Sequence, residues 1–236
     1  MIQLNYIIID ALILIFPLIF TFTWKFKYYK FFKPLSASIL IVGISYIIWD
    51  ILVTSRGDWW FNKEFLIGIE IFGLPIEEIL FFVVVPFACI FIYENLQYFV
   101  KDKKVYFNKW IYLSLSVVFI IVGLLFYKQD YTILAMFSCA AFFILASTVY
   151  PDILISRNYW LYAILSFIPF IIFNYLLTSL IVVYYSPVAI WGGNGLWNGR
   201  FFTIPLEDFF YNFSMLSFYL LAYVYFKKKW KIKSKK

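Results

Sequence analysis

Adjacent carboxylic acids occur twice in the sequence, in the same local pattern. Pro75-Ile76-Glu77-Glu78 and Pro205-Leu206-Glu207-Asp208 both read Pro-x-acid-acid and both precede an apolar run. A carboxyl group can donate a proton to a substrate and a carboxylate can remove one, so two such pairs supply the groups for general acid–base catalysis. The doubled motif is therefore the first candidate for a catalytic site.

The same pattern is also an ordinary way to begin a helix. A proline such as Pro75 or Pro205 is tolerated at the first helical position, and acids in the first turn gain about 0.3–1 kcal/mol from the helix dipole. The repetition, and the cost of acids in a membrane helix, favour function. Because neighbouring helical residues point about 100° apart, we expect one acid of each pair to face the site. The other should orient it or bond to loop backbone.

The helices that must position these acids are predicted to span a membrane. Of the 236 residues, 64% are hydrophobic and only 14% are charged, against about 45–50% and about 25% in a soluble domain. Since a span needs about 20 mostly apolar residues, we expect an all-α, polytopic membrane protein of seven transmembrane helices. The predicted spans are 4–23, 35–53, 75–94, 107–126, 131–149, 160–184 and 205–226.

Basic residues are divided unevenly between the two sides of this arrangement. With alternating spans, four of the 20 Lys and Arg residues fall on the side of the N-terminus and sixteen on the side of the C-terminal tail. The positive-inside rule then predicts an outside N-terminus and a cytoplasmic C-terminus. We expect a multi-pass protein of the cell (inner) membrane, with its basic tail near anionic lipids.

Spans 1–3 and 5–7 form an internal repeat. The acid motifs open spans 3 and 7 at an offset of 130 residues, from Pro75 to Pro205, and the spans before them match at 124, from Asp50 to Asn174. A shift of four spans preserves orientation, so the two three-helix repeats are parallel and span 4 links them. The unequal Asp50/Asn174 pair indicates that the halves do not work identically. The predicted domains are 1–100 for the first repeat, 101–130 for the connecting span, 131–228 for the second repeat and 229–236 for the basic tail.

Further charged and aromatic residues lie near the ends of the spans that carry the motifs. Asp10 either belongs to the acidic site or hydrogen-bonds another helix. Arg56 and Arg200 either pair with the acids or anchor loops at the interface. Trp49 and Trp59 fit an aromatic belt, and such rings could also line a pocket and stabilise a cation.

Several classes of chemistry lack their residues. The sequence has no histidine, which excludes histidine-ligated metals, haem and Ser-His-Asp catalysis. Its two isolated cysteines form neither a metal site nor a disulfide framework, and no GxGxxG or GxxxxGKS/T loop occurs. We therefore expect no required cofactor, neither flavin nor nicotinamide, and no metal.

The doubled Pro-x-Glu-(Glu/Asp) motif on a basic, seven-span chain resembles the membrane-embedded, flavin-independent carotenoid cyclases, the lycopene cyclase domain family. Both motifs match the family pattern residue by residue, and the resemblance covers nearly the whole chain, which looks like the fused two-repeat form. The resemblance implies a lycopene β-cyclase, an isomerase (intramolecular lyase) without net redox change. Such an enzyme closes the ψ-ends of lycopene into β-ionone rings and gives β-carotene via γ-carotene.

This reaction needs a proton donor, a base, an apolar slot for a C40 chain and aromatic faces near a cation. We expect Glu77, Glu78, Glu207 and Asp208 to be catalytic, with each adjacent pair sharing a proton. Glu77 or Glu207 would be the donor and Glu78 or Asp208 its partner, and the order within a pair stays open. The expected partners are a lipophilic carotenoid, membrane lipids and other carotenoid-pathway enzymes, without nucleic acid.

The main alternative is an ion- or proton-coupled transporter whose acids bind cations at the repeat interface. A retinal-binding photoreceptor would need a Schiff-base lysine in span 7, and none occurs between Pro205 and Phe226. A prenyl-diphosphate enzyme would need Asp-rich Mg²⁺ motifs, which the sequence lacks. A structural membrane subunit is the remaining alternative.

Overall fold

The structure is a computed structural model that describes residues 5–23, 25–192 and 199–232. Residues 233–236 of the predicted basic tail lie outside this described part. The helices are α1 (Asn5–Thr23), α2 (Phe32–Ser38), α3 (Ile44–Arg56), α4 (Ile76–Phe99), α5 (Lys109–Leu125), α6 (Asp130–Thr148), α7 (Asp152–Ile155), α8 (Arg157–Ser179) and α9 (Leu206–Lys229). The strands are β1 (Trp59–Phe61), β2 (Glu70–Ile71), β3 (Leu74–Pro75), β4 (Val183–Tyr185), β5 (Arg200–Phe201) and β6 (Ile204–Pro205).

Long apolar helices form the body of the fold. Within the described ranges, six helical stretches are long and apolar enough to cross a membrane. One of them, Tyr28–Arg56, runs without interruption through α2, a π-helical turn and α3. The remaining predicted span corresponds to α5, an apolar helix of 17 residues. The predicted all-α, polytopic membrane fold is thus confirmed.

The long loops of the two repeats pair with each other. Strand β1 lies antiparallel to β4, with Trp60 opposite Tyr184 at the centre of the ribbon. These two residues are related by the same offset of 124 residues as Asp50 and Asn174. An antiparallel pair centred on equivalent residues has a local two-fold axis, so the loops after α3 and α8 share one side of the molecule. We call this the motif side, because both acid motifs lie there, and the opposite side the tail side.

A matching hairpin leads into each acid motif. In the first repeat β2 pairs with β3, with Glu70 opposite Pro75, and in the second β5 pairs with β6, with Arg200 opposite Pro205. Each proline ends its strand in an extended conformation, with ψ of 144° at Pro75 and 143° at Pro205. The helix begins at the next residue, so both acids lie in the first turn of α4 or α9.

The linker helix breaks the symmetry of the packing. Helix α5 lies along α6 in the second repeat, whereas α1, the counterpart of α6, packs against α4 and α8. On the tail side, Lys104 forms a β-bridge with Ser156, which joins the loops that flank α5 and α6. One face of α1 therefore has no linker helix over it.

Candidate active site

A cavity on the motif side is lined by both repeats. Glu78 enters it from α4 and Asp208 from α9, so the second acid of each motif faces the same space. The rest of the lining is mainly apolar and aromatic, and comes from α1, α4, α6, α8, α9 and the β1–β4 ribbon. The lining includes the aromatic rings of Tyr6, Trp59, Phe61, Tyr131, Tyr185 and Tyr211. The two halves thus contribute to one composite chamber.

The first acid of each pair binds loop backbone instead. Glu77 Oε1 accepts a hydrogen bond from the backbone N–H of Ile67 at 2.6 Å. Glu207 Oε1 accepts one from the backbone N–H of Trp191 at 2.5 Å and one from Thr132 Oγ1 at 2.5 Å. The structure therefore divides each pair as the helical geometry predicts. The side chains of Glu77 and Glu207, the expected donors, bond to loop backbone and do not line the cavity.

Glu78 lies beside a carboxyl group from another helix. Its neighbour is Asp50 of α3, close enough for the two carboxyl groups to interact, and the hydroxyl of Tyr6 donates to Glu78 Oε2. Trp59 Nε1 donates to Asp50 Oδ1 at 2.8 Å. Two carboxyl groups that interact in a buried place favour the protonation of one of them, because like charges repel. Glu78 thus interacts with an acid from another helix, and the sharing of a proton between the sequence neighbours Glu77 and Glu78 stays a prediction.

Asp208 is surrounded by hydrogen-bond donors. Tyr131 donates to its Oδ1 at 2.6 Å, while Asn174 Nδ2 and the Tyr185 hydroxyl each donate to its Oδ2 at 2.8 Å. Burial first, and then the charge of Asp208, raises the pKa of the Tyr185 phenol well above its usual value, so it keeps its proton. Three donated hydrogen bonds favour the ionised form of a carboxyl group.

Three tyrosines of this site are absent from the sequence-based prediction. Tyr6 and Tyr131 open α1 and α6 at an offset of 125 residues, and each donates to the second acid of its own repeat. Aligning spans 1 and 5 would have revealed this pair. Tyr185 has Phe61 as its counterpart at the offset of 124, so its hydroxyl occurs in the second repeat alone. No repeat signal could have identified it.

Asp10 adds a further acid to the first repeat. It is 2% exposed, lies close enough to Glu77 for their charges to interact, and neither carboxyl oxygen has a hydrogen-bond partner among the described residues. Its counterpart at the offset of 125 is Ala135. Together with the Asp50/Asn174 difference, this concentrates the buried acids of the motif side in the first repeat.

The remaining predicted residues lie around the chamber in different roles. Arg56 forms its ion pair with Asp58 rather than with a motif acid. Arg200 donates to the backbone carbonyl of Thr203 at 2.7 Å, and its guanidinium lies 5.6 Å from the centre of the Tyr185 ring.

The two predicted tryptophans differ in position. Trp59 lines the chamber. Trp49 stacks on Tyr46 at 5.7 Å between ring centres and contacts Tyr211 edge to face at 5.5 Å. Trp49 therefore supports the chamber through the Tyr211 ring, which does line it.

Fold and site together define an integral membrane protein with two helical repeats around an acid-lined, aromatic chamber. Within the described ranges, no group of three or more acids or cysteines is placed to hold a metal ion. The sequence matches the lycopene cyclase family over residues 3–96 and 128–226, one segment in each repeat. The chain belongs to the lycopene cyclase family, whose role is carotenoid cyclisation. Searches of curated proteins and of solved structures each found no match.

Proposed function

We propose that the protein closes the ψ-ends of lycopene into β-ionone rings and forms β-carotene via γ-carotene. One observation carries this proposal: a single apolar chamber is lined by Glu78 from one repeat, with Asp50 beside it, and by the triply hydrogen-bonded Asp208 from the other. An acid and a base can therefore act on the same end of a substrate that enters the chamber. This is the arrangement that a proton-in, proton-out cyclisation needs.

The first repeat supplies the proton. Glu78 faces the chamber and Asp50 lies behind it. Both carboxyl groups begin protonated, Glu78 gives its proton to the substrate, and the protonated Asp50 and the Tyr6 hydroxyl then donate to the Glu78 carboxylate that remains. The proton adds to the terminal double bond of the substrate and leaves a tertiary carbocation. The neighbouring double bond then attacks that carbon, which closes the six-membered ring and moves the positive charge into it.

The second repeat removes a proton. The hydrogen bonds from Tyr131, Asn174 and Tyr185 stabilise Asp208 as a carboxylate, which can accept the ring proton and so form the ring double bond. One proton is gained and one is lost, so the product is an isomer of the substrate. The reaction is that of an isomerase of the intramolecular lyase type, and it consumes neither flavin nor nicotinamide.

Aromatic faces stabilise the carbocation between these two steps. The rings of Trp59, Phe61 and Tyr211 line the chamber between the contributions of the two repeats. A cation over such a ring is stabilised by about 0.5–2 kcal/mol, more when water is excluded. The same rings keep water away from a cation that it would otherwise trap as an alcohol.

The motif side is proposed to face away from the cytoplasm, in the cell (inner) membrane, with the tail side toward the basic, cytoplasmic surface. Labelling of single cysteines placed at Glu64 and Asp152, which are exposed on opposite sides, tests this orientation. An impermeant maleimide should reach only the first in intact cells, and reaction at the second alone contradicts the orientation. The proposed partners are the carotenoid, membrane lipids and other carotenoid-pathway enzymes.

Expression in a bacterial host that accumulates lycopene, followed by chromatography of the pigments, tests the proposed function. We expect bicyclic carotenoid with the wild-type chain and unchanged lycopene with an equally abundant Glu78→Gln variant. Unchanged lycopene in wild-type cells, with the protein present in the membrane, contradicts the proposal. That result would favour the alternative function, an ion-coupled transporter.

A further inference from the structure

The chamber continues into a groove that leads out of the protein. The groove runs along α1, α4 and α8 toward the tail side, and shares Ile13, Ala88, Pro169 and Phe173 with the chamber. Its far end is formed by residues such as Asn95, nearly five helical turns from Glu78 along α4. A long apolar chain could therefore reach from the acids to the far half of the bundle.

The sizes of the two spaces suit different parts of one molecule. The chamber has a volume of about 100 Å³ and the groove one of about 440 Å³, so the smaller space suits the end of a long chain and the larger one its stem. Leu12 and Phe16 of α1 line the groove and are 51% and 61% exposed. The groove thus opens sideways, where a membrane protein meets lipid, and a lipophilic chain can enter without crossing water.

The matched position in the second repeat is filled by larger side chains. The offset of 130 residues that relates the acid motifs places Phe218 where the groove has Ala88. The offset that relates Tyr6 to Tyr131 places Phe142 where the groove has Pro17. Phe142 and Phe218 meet edge to face with ring centres 5.6 Å apart. In the first repeat these positions leave open space, and in the second they form a contact.

In the second repeat, further side chains fill the region that matches the groove, at its end nearer to the chamber. Tyr219 is fully buried and occupies the position matched to Cys89, which lines the chamber. The Tyr46 hydroxyl lies 3.0 Å from Ser138 Oγ, and their counterparts, Phe170 and Ile13, both line the open chamber. Helix α5 then lies against α6. The acids of the two repeats are thus related by pseudo-symmetry, but among the described residues the open path from the lipid to the chamber lies on the first repeat.

We propose that the linear substrate enters through the first-repeat groove alone, so that each end is cyclised in a separate binding event. After the first ring forms, the monocyclic product must leave the groove, turn round in the membrane and re-enter with its other end. This inference rests on the proposed function. The monocyclic carotenoid is then a free intermediate in the lipid, rather than one that the protein retains.

Replacement of Ala88 by phenylalanine tests the entrance, because it introduces the residue of the matched position in the second repeat. Filling this open space should block the groove and lower lycopene conversion roughly tenfold or more. Val83→Phe is the matched control, since Val83 lies on an exposed face of the same helix and the same side chain there should leave conversion unchanged. Normal conversion by Ala88→Phe would mean that the groove holds only lipid, and overturns the proposal.

An isotope chase tests the release step with the unaltered protein. Membranes convert ¹³C-labelled lycopene in the presence of a large excess of unlabelled monocyclic carotenoid. We expect label to accumulate in the monocyclic product and to fall in the bicyclic product in proportion to the dilution. Undiluted label in the bicyclic product shows that the intermediate is retained and overturns the inference, although it leaves the cyclase function intact. Failure of the function itself is distinct, because neither cyclised product then forms.

Discussion

Asn174 donates a hydrogen bond of 2.8 Å to Asp208, at the position where the first repeat places Asp50 against Glu78. An amide donor on one carboxyl group and a second carboxyl group beside the other are opposite environments, and they arise from the difference between Asp50 and Asn174 at matched positions of α3 and α8. The first environment favours negative charge, and the second favours a bound proton. Our proposal that the second repeat supplies the base and the first the acid rests on this difference.

The chamber acids should matter more for turnover than an exposed acid of a motif-side loop. Glu78→Gln and Asp208→Asn should each lower the rate of cyclisation about 100-fold or more, because proton transfer by a positioned group contributes about 10²–10⁴-fold. Lycopene turnover in isolated membranes measures the effect. The control is Glu64→Gln, an exposed acid on the motif side, which should retain full turnover. Equal turnover in the Glu78→Gln and control variants refutes the assignment of the proton donor.

Asn174→Asp tests the division of labour between the repeats. The change replaces a donor to Asp208 by a second carboxyl group, which makes this half resemble the Asp50–Glu78 pair. We expect Asp208 to hold a proton and turnover to fall about 10-fold or more, since a hydrogen bond to a charged group is worth about 1.5–3 kcal/mol. The loss should shrink as the assay pH rises and the added proton is removed. An unchanged rate across the pH range contradicts the role of Asp208 as base.

The hydroxyl of Tyr185 can be removed with little change of shape. Tyr185→Phe deletes one of the three hydrogen bonds to Asp208 and recreates the residue found at the matched position, Phe61. We expect turnover to fall about 10-fold on the same energetic scale, with protein abundance unchanged. Tyr184→Phe is the control, because Tyr184 is the next residue of the same strand and stacks on Trp60. Equal effects of the two changes would show that strand β4 acts only through packing.

Glu207 is predicted to be a structural anchor of the loop above the chamber. Glu207→Ala leaves the Thr132 hydroxyl and the Trp191 N–H without their acceptor, at a cost of about 1–3 kcal/mol for each unpaired buried group. The temperature of thermal inactivation in detergent should therefore fall. Glu207→Gln keeps an acceptor oxygen and should remain near wild type in both inactivation temperature and turnover. Loss of turnover in the glutamine variant at unchanged thermal stability would instead give Glu207 a chemical role.

Much of the fold followed from patterns along the sequence. Runs of apolar residues located the spans, and the repeated Pro-x-acid-acid motif located the acids, because both signals are local. The contact between Asp50 and Glu78 depends on the rotation of α3 and α4 about their axes, which no local pattern fixes. For this reason the sequence could not say which carboxyl group lies beside Glu78.

The tyrosine donors and the groove show a second limit of sequence reasoning. Tyr185 reaches Asp208 from a three-residue strand inside a long loop, and the pairing of β4 with β1 is a contact between distant segments. Likewise, the groove is open beside Ala88 and the chamber beside Cys89, which are small where Phe218 and Tyr219 are large. Such a difference has meaning only after the helices have been packed side by side.

Cyclisation of lycopene in deuterated water tests the central claim most directly. If Glu78 delivers a solvent-exchanged proton to the terminal double bond, each ring formed should gain one deuterium. Mass spectrometry should then show one mass unit added to the monocyclic product and two to the bicyclic product, with both products absent for Glu78→Gln. Cyclised carotenoid without deuterium, or formed normally by the Glu78→Gln variant, would contradict a proton-initiated reaction at this site.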